Sequence, residues 1–184
     1  MTTKFVLHGG FSSGKKQQDN KFFQEMLKDA PNKVNILLVY FAEPDEKVDL
    51  RTKQDIEEFN ANKDSKELCF KVASEENFEK ECQLADIIYL HGGKTTKLIE
   101  TLSKYPNIVK IFSNRMIAGD SAGAHVLGKL FYSKNSKTIG KGLGILPFKI
   151  MAHYEDGMQN PFTDVEQELE TLLLHEYETK VIQK

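Results

Sequence analysis

Two apolar runs, "KFVLHGG" (4–10) and "VNILLVYFA" (34–42), lack the alternation of polar and apolar residues that a half-exposed strand needs, and "DIIYLHGG" (86–93) and "RMIA" (115–118) are further apolar strands that run into turns. Strands buried on both faces read this way, and they belong to parallel sheets covered by helices. Between the first two, "QDNKFFQEMLKDA" has helical spacing at Phe22, Phe23, Met26 and Leu27 and is stopped by Pro31. "DLRTKQDIEEFNANK", "NFEKECQLA" and "KTTKLIETLSKY" predict further helices, and "LCFKVAS" another strand. "NRMIAGDSAGAHVLGKLF" predicts a short strand, a tight turn and a helix rich in small residues. "GLGILPFKIMAHY" predicts a strand ending at His153, and "TDVEQELETLLLHEYE" (163–178) a closing helix. Alternating strands and helices predict an α/β fold, a three-layer α/β/α arrangement with a largely parallel sheet, in one domain spanning 1–184.

Composition narrows the function. With 40% hydrophobic and 28% charged residues and a formal net charge of -2, the chain is neither a disordered polyelectrolyte nor a basic nucleic-acid binder. Small or peptide substrates fit better than polyanions. Cys69 and Cys82 have neither a CxxC spacing nor nearby partnering histidines, so they are expected as reduced thiols, with no metal site and no cofactor. The N-terminus has no signal-type apolar region, and no run reaches the roughly eighteen apolar residues that cross a bilayer. The expectation is a cytoplasmic protein without membrane contact, a monomer or homodimer.

In such sheets ligands bind at the carboxyl ends of the strands. Four turns fall there: His8-Gly9-Gly10, His91-Gly92-Gly93, Gly119-Asp120-Ser121 and Ala152-His153. Gly119 to Gly123, "GDSAG", matches G-x-S-x-G between a strand and a helix, the setting of a nucleophile elbow. The elbow would aim the Ala122 N–H at a bound carbonyl, and the side-chain-free turn at Gly92 and Gly93 offers a second amide. Neither "HGGKTTKL" nor "HGGFSSGKK" has P-loop spacing, which disfavours a phosphate cradle. A serine needs a base. His153 is the favoured one, expected on the same sheet edge as Ser121. His125 is awkwardly placed for that task and is expected to pack or to line the site; His8 and His91 line the pocket, and His175 is solvated. The local carboxylates Glu155 and Asp156 follow His153 closely.

The stretches "IIYLHGGKTTKLIE", "MIAGDSAGAHVLGK" and "GLGILPFKIMAHY", in this order, resemble the peptidase S51 family, that of the aspartyl dipeptidases (peptidase E) and cyanophycinases. The resemblance implies a flavodoxin-like fold similar to class I glutamine amidotransferases, with serine at the elbow in place of cysteine. It implies a serine peptidase of small peptides, with Ser121 as nucleophile, His153 as general base and the amides of Gly93 and Ala122 as oxyanion hole. Gly92, Lys94, Asp120 and Tyr154, beside these positions, are the expected substrate-pocket residues.

Three departures accompany the resemblance. Lys94 stands where the family commonly has asparagine. The only arginines are Arg51 and Arg115, and the segment after His153 is acidic, which argues against recognition of an N-terminal aspartate. The acid that orients the histidine in the family lies about where this sequence stops. A shortened Ser-His dyad, substitution by Glu155 or Asp156, and an impaired scaffold that binds or regulates all follow from that, and the same nucleophile would also serve a small-substrate esterase or amidase. The loops 43–66 and 155–165 are expected to set specificity.

Overall fold

The computed structural model describes residues 2–11 and 20–184. Residues 12–19, which include most of the "HGGFSSGKK" stretch weighed as a phosphate cradle and the start of the first expected helix, lie outside them. In chain order the elements are β1 (Lys4–His8), α1 (Asn20–Leu27), β2 (Lys33–Val39), α2 (Asp45–Ala61), β3 (Glu67–Val72), α3 (Phe78–Leu84), β4 (Ile87–Leu90), α4 (Thr95–Leu102), α5 (Ile108–Phe112), β5 (Met116–Asp120), α6 (Ala122–Leu127), β6 (Leu130–Ser133), β7 (Thr138–Lys141), β8 (Phe148–Tyr154), β9 (Glu170–His175) and β10 (Thr179–Gln183).

The main sheet has the order β10-β1-β5-β4-β2-β3. Its first five strands in the chain run parallel, and β10 closes the β1 edge antiparallel. The missing alternation in the sequence has its cause here, because both faces of the sheet are covered. Phe5, Leu7, Leu37, Val39, Ile88, Leu90 and Ile117 point into one core with residues of α3 to α6. Their neighbours Val6, Ile36, Leu38, Ile87, Tyr89 and Ala118 point into the other with Phe22, Phe23, Met26 and Leu27 of α1 and Phe59 of α2. The arrangement is the three-layer α/β/α fold the strand pattern predicts.

Two expectations fail, for related reasons. The closing helix over 163–178 is instead an irregular segment followed by β9, a turn and β10. Leu172 and Leu174 bury into the first core while Leu173 packs on a small third cluster around Leu130, Met151 and Phe162. Pairing with β8 overrides the helix propensity of the Glu- and Leu-rich run. The helix after Ser121 ends at Leu127, and the Leu130 and Phe131 expected to continue it belong to β6. Strand β6 opens a second, four-stranded sheet of order β7-β6-β8-β9. His153 therefore stands on a strand of this second sheet, not on the sheet that carries Ser121.

Three strand ends of the main sheet lie side by side, with β5 between β1 and β4. They deliver His8-Gly9-Gly10, Ser121 and Gly92-Gly93 to one place. Phe59, fully buried against Phe23, Phe70 and Tyr89, anchors the α2 side of the sheet that makes this possible. Phe59→Ala is expected to cost about 3–5 kcal/mol of stability in urea unfolding, as for aromatic truncation in a well-packed core.

Candidate active site

Ser121 has φ 47° and ψ −100°, outside the regions an L-residue prefers. Its neighbours on either side are closely packed. A methyl on Gly119 would approach the Gly123 backbone to 2.5 Å, and one on Gly123 would meet the Leu90 carbonyl at 2.0 Å. The two glycines of "GDSAG" thus let α6 start directly against β5 and β4, and Ser121 N–H donates to the His8 carbonyl across the β1–β5 pair. This strained strand-to-helix turn is the geometry of a nucleophile elbow.

His153 arrives from the other sheet through a bulge. Met151 pairs with Leu173 and Tyr154 with His175, so Ala152 and His153 together face the single Leu174 of β9. His153 takes φ 57° and its N–H donates to the Gly9 carbonyl at 2.8 Å. The ring then lies on Gly10, where an added methyl would stand 2.2 Å from Cε1. Only glycine fits beneath it. In this position Nε2 is 2.9 Å from Ser121 Oγ.

Behind the imidazole is Glu176, whose Oε1 is 3.1 Å from His153 Nδ1. An ionised carboxylate can only accept, so the Nδ1–H donates to Glu176 and Nε2 is left as the acceptor for the serine hydroxyl. Glu176 belongs to the turn between β9 and β10, which is fastened to the β1 loop by Gly9 N–H to the Glu178 carbonyl and Tyr177 N–H to the Gly10 carbonyl, both at 3.0 Å. Neither local carboxylate takes this place. Glu155 is ion-paired with Lys134, and Asp156 lies 3.7 Å from His175. Glu176 escapes sequence reasoning because the expected helix placed it away from the site. Read as a strand, "ETLLLH" would have put it at a strand end, one residue past His175.

The turn after β4 borders the serine. A methyl on Gly92 would lie 3.6 Å from Ser121 Cβ and 3.1 Å from an Asp120 carboxylate oxygen, and Gly93, at φ 126°, has the Ala42 carbonyl where a side chain would go. Ala122 opens α6, so its N–H has no partner within the helix. Lys94 follows, exposed, at the start of α4. Asp120 is buried with Oδ1 2.7 Å from His8 Nδ1, and His8 is itself wholly buried and stacked on Phe22, so both support the floor of the site. Tyr154 turns its hydroxyl to the Met158 carbonyl and its ring to His175, which is half-exposed.

A second polar group lies under the β2 and β4 ends. Asp55 accepts from the hydroxyls of Tyr40 at 2.8 Å and Tyr89 at 3.4 Å, and His91 sits between Asp55 and Glu43 at 3.5 and 3.6 Å. Burial pushes the Asp55 carboxyl up to about 6, against the opposing pull of His91 and Tyr40. His91 is thus an inward-facing member of this cluster rather than a pocket wall. His125 is buried as well, and burial, reinforced by the nearby His153, lowers its imidazole to about 3. Among the described residues no group of three His, Cys, Asp or Glu side chains is placed to hold a metal ion, and no helix is long and apolar enough to cross a membrane. Cys69 and Cys82 are unbridged thiols.

The family model described as Peptidase family S51 matches residues 5–183. Among solved structures, a proposed peptidase E from Listeria monocytogenes EGD-e is similar with a TM-score of 0.68 at 17% identity, covering 100% of this chain and 98% of that one. A peptidase from an acI-B1 Actinobacterium is similar with a TM-score of 0.70 at 18% identity, covering 99% of this chain and 84% of that one. No curated protein matches the sequence.

The depressed His125 sets a pH dependence of stability. Between the ordinary imidazole value of 6.5 and about 3, the unfolded chain binds a proton that folded His125 refuses, so stability falls as pH drops through that window. Urea midpoints of His125→Gln are expected to fall less than those of the wild type between pH 6.5 and 4, with the remaining acid sensitivity common to both.

Proposed function

Because the chain belongs to peptidase family S51 and is a serine-type peptidase, we propose that Ser121 is its nucleophile, His153 the general base and acid, and Glu176 the carboxylate that orients the histidine. The observation that carries this reading is the continuous Ser121, His153, Glu176 chain, with contacts of 2.9 and 3.1 Å. His153 takes the proton from Ser121 Oγ as the oxygen attacks the scissile carbonyl. The oxyanion forms between the amides of Gly93 and Ala122, and the amine leaves with the proton from His153. Water, deprotonated by the same nitrogen, then attacks the acyl-enzyme and releases the acid. Glu176 keeps the Nδ1–H tautomer and stabilises the imidazolium that forms in each half-reaction. Glu176 beside His153 weighs against an impaired, binding-only scaffold, a reading that rested on the lack of an acid and on Lys94.

Short peptides are the proposed substrates. Both arginines are committed elsewhere: Arg115, just before β5 and hence at the far end of the strand from Ser121, donates to the carbonyls of Ala85 and Gln83, and Arg51 lies 3.7 Å from Glu43. Asp120 and Glu176 place negative charge around the serine, which favours a neutral or basic residue over an N-terminal aspartate. Lys94 is the exposed cation beside the turn.

Intact-mass measurement after treatment with a fluorophosphonate is expected to give one adduct, absent in Ser121→Ala and in His153→Ala. Glu176→Gln should slow labelling by about 100-fold or more, since an amide no longer holds the tautomer or the imidazolium charge. Glu155→Gln and Asp156→Asn should label at the wild-type rate. In peptide assays, Ala- and Lys-initiated dipeptides should be cleaved faster than Asp-initiated ones, and peptide bonds rather than simple esters should be the better substrates relative to their uncatalysed rates. An unlabelled, folded wild type overturns the reading.

A further inference from the structure

The bulge that aims His153 leaves two backbone N–H groups without partners in the ladder. That of His153 goes to Gly9, and that of Ala152 donates to His125 Nε2 at 3.0 Å. His125 lies on α6, four residues after Ser121, and its backbone N–H donates to the Ser121 carbonyl at 2.9 Å. Since Nε2 is an acceptor and the buried ring is neutral, the proton is on Nδ1, 3.3 Å from Thr95 Oγ1, to which it donates. Thr95 begins α4, two residues after Gly93. Phe131 stacks on the ring at 5.3 Å and 23° and fixes its plane.

One imidazole thus joins three separate segments: the helix behind Ser121, the strand residue before His153 and the start of the helix after Gly93. We infer that His125 is a positioning residue, whose Nδ1–H tautomer clamps the bulge of β8 to α6 and so sets the separation of Ser121 and His153. The inference rests on the reading of those two residues as the reacting pair. It assigns His125 no proton transfer, since both its nitrogens are committed to protein groups. The tautomer is essential, because an Nε2–H would face the Ala152 N–H donor to donor. Thr95 is therefore part of the device through its contact with His125.

The test uses His125→Leu, His125→Gln and Thr95→Val, each first shown to unfold cooperatively. Fluorophosphonate labelling of His125→Leu is expected to slow by about 100-fold, the scale of a misplaced catalytic group. His125→Gln, whose Oε1 can stand near Nε2 and accept from Ala152, should recover most of the rate, and Thr95→Val should slow it several-fold with no change in fold. Imidazole nitrogen NMR should find His125 of the wild type as the neutral Nδ1–H tautomer, and should find the His153 signals displaced in His125→Leu and Thr95→Val. A labelled wild type with His125→Leu and Thr95→Val labelling equally fast overturns the inference, as does an Nε2–H tautomer at His125. A wild type that resists the label but shows the expected His125 tautomer and the His153 displacement overturns the catalytic reading and leaves His125 as the clamp.

Discussion

The site depends on the bulge at Ala152 and His153. A regular β8 would keep His153 in register with β9 and its ring within the second sheet. The extra residue, the positive φ and the His153 N–H bond to Gly9 turn the ring out across the gap between sheets and onto Gly10. Everything that supports the bulge is donated by other elements. Gly9 and Gly10 come from the loop after β1, the Ala152 acceptor from α6, and Glu176 from the turn that carries the chain from one sheet back to the other.

That last connection explains why the C-terminal residues matter. Strand β9 ends in the second sheet and β10 pairs with β1 in the first, so the turn between them must cross beside the β1 loop. Its backbone is tied there by Gly9 and Gly10, and the crossing brings Glu176 to His153. A methyl on Gly9 would strike the His175 carbonyl at 1.8 Å, which shows how closely the two segments approach. The strained serine, by contrast, is held entirely within the first sheet, by glycines that let α6 press on β4 and β5.

Much of this was legible in the sequence and part was not. Runs without alternation marked β1 and β2 of the main sheet because both are covered on both faces, the edge strand β10 was not read as a strand, and "GDSAG" marked the elbow because its glycines meet backbone, not space. The pairing of Ser121 with His153 followed from strand-end positions, although the sheet assumed for His153 was the wrong one. Glu176 was hidden because "ELETLLLHEYE" has the composition of a helix, and only pairing with β8 makes it a strand. His125 read as awkward for a base and as a residue that packs or lines the site, but its bond to Ala152 depends on a bulge that no local pattern announces. Lys94 follows the Gly92-Gly93 turn and Tyr154 follows His153, while Asp120 pairs with His8 and His91 turns to Asp55.

The most direct measurement is a crystal structure of the wild type after reaction with a fluorophosphonate. The account predicts phosphorus bonded to Ser121 Oγ, the phosphoryl oxygen between the amides of Gly93 and Ala122, and His153 held by Glu176 on Nδ1 and by the unchanged bulge behind it. Phosphorus on another residue, or a phosphoryl oxygen turned away from both amides with His153 detached from Glu176, would contradict it.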